Sequence, residues 1–316
     1  MSLAEFDLIE RIRARASSRT DVLLGIGDDA ALLQVPSGRQ LVVSADTLNV
    51  GVHFPESTAA ADIGWKSLAV NLSDLAAMGA TPAWCTLSLS LPRVDAAWID
   101  AFLDGFLRLA TLHAVALVGG DTTRGPLSIA VTAMGLVEPG CALRRDAARP
   151  GDDVWVTGTL GDAAAALEAV MAGNRIAPEL RGRLDRPVPR IGAGQRLSAL
   201  AHACIDLSDG LMADLGHLCR RSGVGAEIGL DQLPASAWLA AVETERRWPW
   251  QACGGDDYEL CFTAAPRNRD LIVQAMDFAG IAATRIGRIV AGQGVHALDA
   301  HGARWQPART GYQHFG

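Results

Sequence analysis

Polar and apolar positions follow two different periods along this chain, and the switches between them mark its elements. Apolar residues fall at helical spacing over residues 3–16 and again over 59–79, where Gly79 and Pro82 mark the stop. Between them, short apolar runs separated by turn residues predict strands near 22–26, 31–35 and 40–46. A strand at 84–91, a helix at 95–112 capped by Asp95, and strands at 114–119 and 127–137 complete a β-α-β-α-β-β series. Pro139, Gly140, Pro150 and Gly151 bracket a turn-rich stretch that reads as a boundary between a domain over 1–138 and another over 149–316. The second starts with a strand at 153–157, an alanine-rich helix at 162–172 opened by Gly158 and Gly161, and helices near 176–184 and 190–200. A strand at 204–206 leads into a helix at 211–221; strands follow at 225–230, 258–263, 284–289 and 295–298, with a helix at 267–279. Residues 306–316 show no clear period. The expected fold class is α/β (α+β mixed): two α/β domains, with mixed sheets packed against helices.

Composition narrows the function. The chain has 316 residues, 49% of them hydrophobic, enough to fill two cores. A net charge of −7, from 35 acidic against 28 basic residues, argues against general nucleic-acid binding. No apolar run is long enough to span a membrane. Residues 1–17 mix Glu5, Asp7 and Glu10 with Arg11, Arg13 and Arg15, unlike a signal or transit peptide, so a cytoplasmic location is expected. The six cysteines form no C-x-x-C pair, and most lie in apolar runs, as expected of buried reduced thiols. Lys66 is the only lysine and follows Trp65 rather than a glycine-rich loop. Neither a P-loop nor a protein-kinase lysine can be built from it. If the chain handles nucleotides, metals and arginines must carry the positive charge.

Carboxylates cluster at the predicted element ends. Gly25-Ile26-Gly27-Asp28-Asp29 is good turn chemistry, and two adjacent side chains there diverge, so at most one would bind a metal. Ser44-Ala45-Asp46-Thr47 ends a predicted strand, where a cap or strand-end hydrogen bond is the plainer reading. Asp74, among Leu72, Leu75, Ala76 and Met78, is costly to bury without a partner. Gly119-Gly120-Asp121-Thr122-Thr123-Arg124-Gly125 is the most specific segment: its glycines allow close backbone approach to a phosphate, although a glycine-rich hairpin would use them too. Asp206-Leu207-Ser208-Asp209-Gly210 sits at a strand-to-helix turn where Asp209 could instead cap the helix, and Asp214 is read simply as part of that helix. Gly254-Gly255-Asp256-Asp257-Tyr258-Glu259-Leu260 repeats the glycine-acid pattern, and His53 alone could be structural. Each segment has its own plain explanation, but one site with several cations explains them together, since converging carboxylates repel unless cations lie between them. Hard oxygen donors with little histidine or cysteine point to Mg²⁺ carrying phosphates.

Such a site suits transfer of a phosphoryl group to another phosphate. With a second pKa of about 6, the acceptor is largely ionised at neutral pH and needs no general base. The obstacle is repulsion between two polyanions, which bridging cations reduce.

Taken in order with His53-Phe54, the 71–80 run Asn71-Leu72-Ser73-Asp74-Leu75-Ala76-Ala77-Met78-Gly79-Ala80, and Asp257-Tyr258-Glu259-Leu260-Cys261-Phe262, these motifs span nearly the whole chain. As a set they resemble the thiamine-monophosphate kinases, of the superfamily of aminoimidazole-ribonucleotide synthetase and selenophosphate synthetase. The resemblance implies ATP-dependent conversion of thiamine monophosphate to thiamine diphosphate, the last step of its biosynthesis, by direct Mg²⁺-assisted transfer without a protein base and with Asp121 and Asp209 central. It implies Mg²⁺ ligands at Asp29, Ser44, Ala45, Asp46, Asp74, Asp121, Asp206 and Asp209, and ATP contacts at Gly120, Asp121, Arg145 and Ser208. It implies thiamine-phosphate contacts at His53, Asp256 and Tyr312. It also implies a homodimer formed through the N-terminal ATP- and Mg²⁺-binding domain, with the C-terminal domain completing the substrate and nucleotide site. Two positions depart from the family: Ala45 stands where threonine is common, leaving only its carbonyl for a metal, and Asp256 is one methylene shorter than the usual glutamate.

Two other readings compete. A selenophosphate synthetase would want a reactive cysteine and a lysine near the N-terminus, whereas the first cysteine is Cys85; an aminoimidazole-ribonucleotide synthetase fits poorly with His53-Phe54 and Gly311-Tyr312-x-His314-Phe315. A non-catalytic calcium or magnesium binder would want a D-x-D-x-D-G loop, which the chain lacks.

Overall fold

A computed structural model describes residues 5–314. The beginning of the predicted first helix and Phe315 lie outside the described residues. Two compact units emerge: one runs to Leu75 and resumes over Ala80–Gly140, and the other takes Ala76–Gly79 and the chain from Cys141 onward.

In the first unit, α1 (Glu5–Arg15) precedes a small antiparallel pair, β1 (Val22–Leu24) and β2 (Leu32–Leu33). Then come β3 (Gln40–Asn49), α2 (Ala60–Ala77), β4 (Thr81–Leu91), α3 (Ala96–Leu112), β5 (Ala116–Arg124) and β6 (Ser128–Val137). The last four strands form one sheet in the order β3-β6-β4-β5, antiparallel except for the parallel β4–β5 pair. Asp95 caps α3 by accepting from the Ala97 and Trp98 N–H groups. Helix α2 is buried nearly all round: Leu68, Leu72 and Leu75 lie in the core, and Lys66, Ser67, Asn71 and Ser73 are buried with them. Polar groups so placed must be satisfied internally: Lys66 and Asn71 reach the backbone of neighbouring segments, and Ser67 bonds the Gly64 carbonyl of its own helix.

The second unit contains β7 (Asp153–Thr157), α4 (Asp162–Met171), α5 (Pro178–Asp185), α6 (Ile191–Leu197), β8 (Ala203–Asp206), α7 (Leu211–Ser222) and β9 (Gly225–Gly229). It continues through α8 (Ala237–Ala240), α9 (Thr244–Cys253), β10 (Leu260–Ala264), α10 (Arg269–Phe278), β11 (Ala283–Val290), β12 (Gly294–Leu298) and β13 (Arg304–Trp305). Its seven strands run in the order β13-β12-β9-β11-β7-β10-β8, antiparallel except for β12 beside β9. Val154, Val156 and Ile205 of the strands pack with Leu211, Leu215 and Leu218 of α7 in one apolar cluster. Both units are mixed sheets with helices, as the periodicity predicts.

Three local expectations change. Residues 119–124 are not a loop but the second half of β5, because Thr86–Leu91 of β4 supply parallel partners. Strand β3 does not end at Asp46; it continues to Asn49, paired with Ser128 of β6, so Asp46 lies inside a strand. Helix α9 forms across Pro249, which the local pattern does not predict. Among the described residues, no helix is long and apolar enough to cross a membrane.

Candidate functional site

In the first unit three of the predicted residues, Ser44, Asp46 and Asp74, meet where α2 faces β3. Ser44 and Asp46 share one face of β3, two residues apart, while Ala45 points to the other face and is exposed. The Ser44 hydroxyl donates to Asp74 Oδ2. The Asp46 backbone N–H donates to Asn71 Oδ1 at 3.1 Å, and Asn71 Nδ2 donates to the Ser67 carbonyl one turn earlier. Asp46 and Asp74 therefore come from rigid elements. Burial, followed by the like charge of Asp74, raises the Asp46 carboxyl to about 6. A cation between them would reverse both effects, and their oxygens are hard donors that suit magnesium.

Elsewhere in the first unit, Asp28 accepts from the Asp29 N–H at 2.8 Å, so the Asp28 carboxylate closes its own turn. Asp121 is exposed on β5 opposite Ser88. Gly120 before it has φ 155°, and a Cβ there would sit 1.8 Å from the Leu87 carbonyl oxygen, so only glycine lets β5 lie against β4 at this point. His53 Nδ1 accepts the Asn49 N–H at 2.9 Å, which puts the proton of a neutral imidazole on Nε2. The buried Lys66 Nζ donates to the His53 carbonyl at 3.1 Å. The only lysine of the chain thus shapes the His53 turn.

In the second unit, Asp206 ends β8 and is buried, with the Arg145 guanidinium 3.9 Å away. The turn that follows carries Ser208 and Asp209. Asp209 does not cap α7: the cap position is Gly210, which has no side chain of its own to accept a hydrogen bond. Burial raises the Asp209 carboxyl, offset by His314 and His217 and reinforced by Asp256. Asp214, expected to be an ordinary helix residue, is instead buried. Its Oδ2 accepts the N–H groups of Ser208, Asp209 and Gly210 at 3.0, 3.0 and 3.1 Å. Burial and Asp209 push its carboxyl up to about 7 against the pull of those donors.

Asp256 and Tyr258 both adopt positive φ, 69° and 50°. Aspartate tolerates that region, whereas tyrosine does so only under constraint. The Tyr258 hydroxyl donates to Asp256 Oδ1 at 3.1 Å. Asp257 turns inward and accepts the Gly161 N–H at 2.9 Å, and burial raises its carboxyl well above the usual range. Fully buried Glu259 binds Arg183, Arg190 and the Thr157 hydroxyl. These two acids of the 256–259 run thus serve the fold. The Tyr312 N–H donates to the Asp209 carbonyl at 3.0 Å, and its ring meets His314 edge-on. Cys85, Cys204, Cys219 and Cys261 are buried free thiols, the Cys85 thiol being pushed up to about 12 by burial, so they offer no ready thiolate.

Among the described residues, no three histidine, cysteine, aspartate or glutamate side chains form a ready-made metal cage. The structure groups Ser44, Asp46 and Asp74 in one unit, and Arg145 with Asp206 in the other. Asn71 and Lys66 in the first unit and Asp214 in the second support these groups, although none of the three was expected as a site residue. Asp214 had a signal: it lies on the same helical stripe as Leu211, Leu215 and Leu218, where an acid needs partners.

Two mixed α/β units, each presenting hard oxygen donors from strand and turn positions, define the class. Models of AIR synthase related protein match here, the N-terminal domain over residues 27–137 and the C-terminal domain over 149–299. The thiamine-monophosphate kinase of Escherichia coli K12 is 49% identical over 298 residues, covering 92% of each chain. The crystal structure of thiamine-monophosphate kinase from Stenotrophomonas maltophilia K279a is 59% identical with a TM-score of 0.87, covering 94% of this chain and 97% of that one. A solved AaThiL complexed with AMPPCP and TMP is 32% identical with a TM-score of 0.78, covering 99% of both chains. The chain belongs to the AIR synthase related family and, within it, to the thiamine-monophosphate kinases.

Proposed function

We propose that this chain transfers the γ-phosphoryl group of ATP to thiamine monophosphate, giving thiamine diphosphate and ADP. The observation that carries this reading is the end-to-end match to AaThiL complexed with AMPPCP and TMP, read with the kinase names of the relatives. The site chemistry agrees with it. The acceptor phosphate is already ionised at neutral pH, so the task is to align two polyanions rather than to remove a proton.

Asp29, Ser44, the Ala45 carbonyl, Asp46, Asp74, Asp121, Asp206 and Asp209 would hold Mg²⁺. The donor set fits: all are oxygens, and Asp46 and Asp74 repel each other without a cation. Bound there, Mg²⁺ supplies neutralisation of the phosphate oxygens. Gly120, Asp121, Arg145 and Ser208 contact ATP. The Ser208 N–H is already given to Asp214, so its hydroxyl is the group left for the nucleotide. Arg145 brings the cation that lysine brings in P-loop enzymes. His53, through Nε2–H, with Asp256 and Tyr312, holds thiamine monophosphate.

The enzyme works as a cytoplasmic homodimer paired through the first unit. In support, Leu41 and Val43 on the outer face of β3 are 45% and 55% exposed, and Leu23 and Leu32 of the β1–β2 pair are 65% and 58% exposed. The deciding assay supplies ATP, Mg²⁺ and thiamine monophosphate and follows ADP and thiamine diphosphate. No turnover, or equal turnover with unphosphorylated thiamine, refutes the reading.

A further inference from the structure

The turn at 207–210 is tied through several backbone groups, and its ties run in two directions. Inward, three consecutive N–H groups converge on one oxygen, Asp214 Oδ2. Outward, the carbonyls of the same turn accept from the acceptor-side residues: Ser208 from the Asp256 N–H at 2.9 Å, and Asp209 from the Tyr312 N–H at 3.0 Å. Leu207 adds two more ties, accepting from the Tyr258 N–H and donating to the Glu259 carbonyl, both at 2.8 Å. Two glycines permit this closeness. A Cβ on Gly255 would lie 2.5 Å from the Ser208 carbonyl oxygen, and one on Gly311 would lie 2.8 Å from that of Asp209 and 2.5 Å from Ala213 Cβ.

We propose that Asp214 is a positioning residue that sets the 208–210 turn, and that this turn couples the nucleotide residue Ser208 and the metal residue Asp209 to the acceptor residues Asp256 and Tyr312. The proposal rests on the kinase reading for the names of the two substrates. Its physical content is that three amides aimed at one carboxylate oxygen fix the backbone of the turn. With their hydrogens committed inward, the carbonyls of Ser208 and Asp209 are held where Asp256 and Tyr312 hang from them. Order imposed by one substrate on Ser208 or Asp209 is therefore felt at the backbone of the residues that meet the other. Coupling of this kind is reciprocal, so each substrate tightens the binding of its partner.

The test compares the wild type with Asp214→Asn, Asp214→Ala and Gly311→Ala, using hydrogen exchange and equilibrium binding. Wild-type turnover is measured first; its absence refutes the kinase reading but leaves the exchange comparison intact. In Asp214→Ala, exchange of the Ser208, Asp209 and Gly210 amides should accelerate by about 100-fold, since each loses its only buried acceptor. Affinity for a non-hydrolysable ATP analogue with Mg²⁺ and affinity for thiamine monophosphate should each fall by about 10-fold or more. Asp214→Asn, whose amide oxygen can occupy the place of Oδ2, should restore protection and both affinities to within about 3-fold. Gly311→Ala keeps Asp214 and presses a Cβ against the Asp209 carbonyl and Ala213 Cβ from the Tyr312 side, so the test survives if Asp214→Ala fails to fold. It should weaken ATP-analogue binding by about 3-fold although it lies on the acceptor side, and it should reduce the factor by which each substrate tightens the other. Unchanged amide exchange in Asp214→Ala overturns the positioning role. Unchanged ATP-analogue affinity in Gly311→Ala, with thiamine monophosphate affinity reduced, overturns the coupling.

Discussion

Replacing Asp46 with asparagine should stabilise the metal-free protein while removing its response to magnesium. Asp46 and Asp74 face each other from β3 and α2, and the Asp46 carboxyl is raised to about 6 by burial and by its neighbour. Against an unfolded value of about 4, that is about two units, or at most roughly 3 kcal/mol of disfavour for the ionised form. Partial solvent contact screens the pair, so about 1–2 kcal/mol is the working figure. The sign follows from linkage: a carboxyl raised in the folded state gives stability that is complete below about 4 and lost as the pH rises through about 6. Asparagine cannot ionise and suffers no such loss. In chelator, the variant should melt about 2–6 °C above the wild type at pH 8, with the difference vanishing near pH 4. With magnesium in excess, the wild type should gain stability and the variant little, and turnover of the variant should fall by about 100-fold or more. Thermal unfolding followed by circular dichroism at several pH values, with and without magnesium, measures all of this. Equal pH slopes for the two proteins, or equal stabilisation by magnesium, would refute the electrostatic reasoning.

Three further outcomes follow from the packing. Glu259→Ala should cost about 3–5 kcal/mol in urea unfolding, because Arg183 and Arg190 lose the buried carboxylate they share; a loss under about 1 kcal/mol would show the cluster to be dispensable. Gly120→Ala places a Cβ 1.8 Å from the Leu87 carbonyl oxygen, so β5 must separate from β4. The cost should be roughly 2–5 kcal/mol, with turnover lost as Asp121 moves; wild-type melting and rate together would contradict it. The Asp21 carboxyl is held below the usual range first by the Arg19 guanidinium, despite some burial, and by the Trp84 indole N–H at 3.0 Å. Its lowered folded pKa means that its contribution is present above about 4 and lost as the pH falls below that. Asp21→Asn should therefore cost about 1–2 kcal/mol at pH 7 and progressively less in acid, and a constant difference across pH would count against it.

What the sequence made legible was whatever a single period or side chain carries. Helix α3 could be read from its Asp95 cap and apolar spacing, and Asp74 from the cost of an acid among leucines. What it hid depends on partners distant in the chain. Gly119–Arg124 reads as a loop by composition, and only the parallel register against Thr86–Leu91 makes it a strand. Asp46 reads as a strand end because Thr47 and Asn49 are polar, yet pairing with β6 carries the strand past it. The role of Asp214 was hidden for another reason: its partners are backbone amides, which every residue has and no motif displays.

The same residues explain why such a site needs this much support. Asp46 and Asp74 repel, Asp256 and Tyr258 sit in left-handed backbone, and Asp209 lies near Asp256. Each arrangement is unfavourable without substrate and is tolerated because its surroundings over-determine it. Asn71 fixes the Asp46 backbone, Lys66 holds the His53 turn, and Asp214 gathers three amides under Asp209. None of these supports needs to touch a phosphate. On the proposed function their work is done before substrates arrive, so that cations and phosphates would meet donors already in place. Loss of a support should therefore reach binding and rate together, whereas loss of a repelling acid should raise stability as it lowers rate. That opposition between the two kinds of variant separates a preorganised charged site from a merely acidic surface.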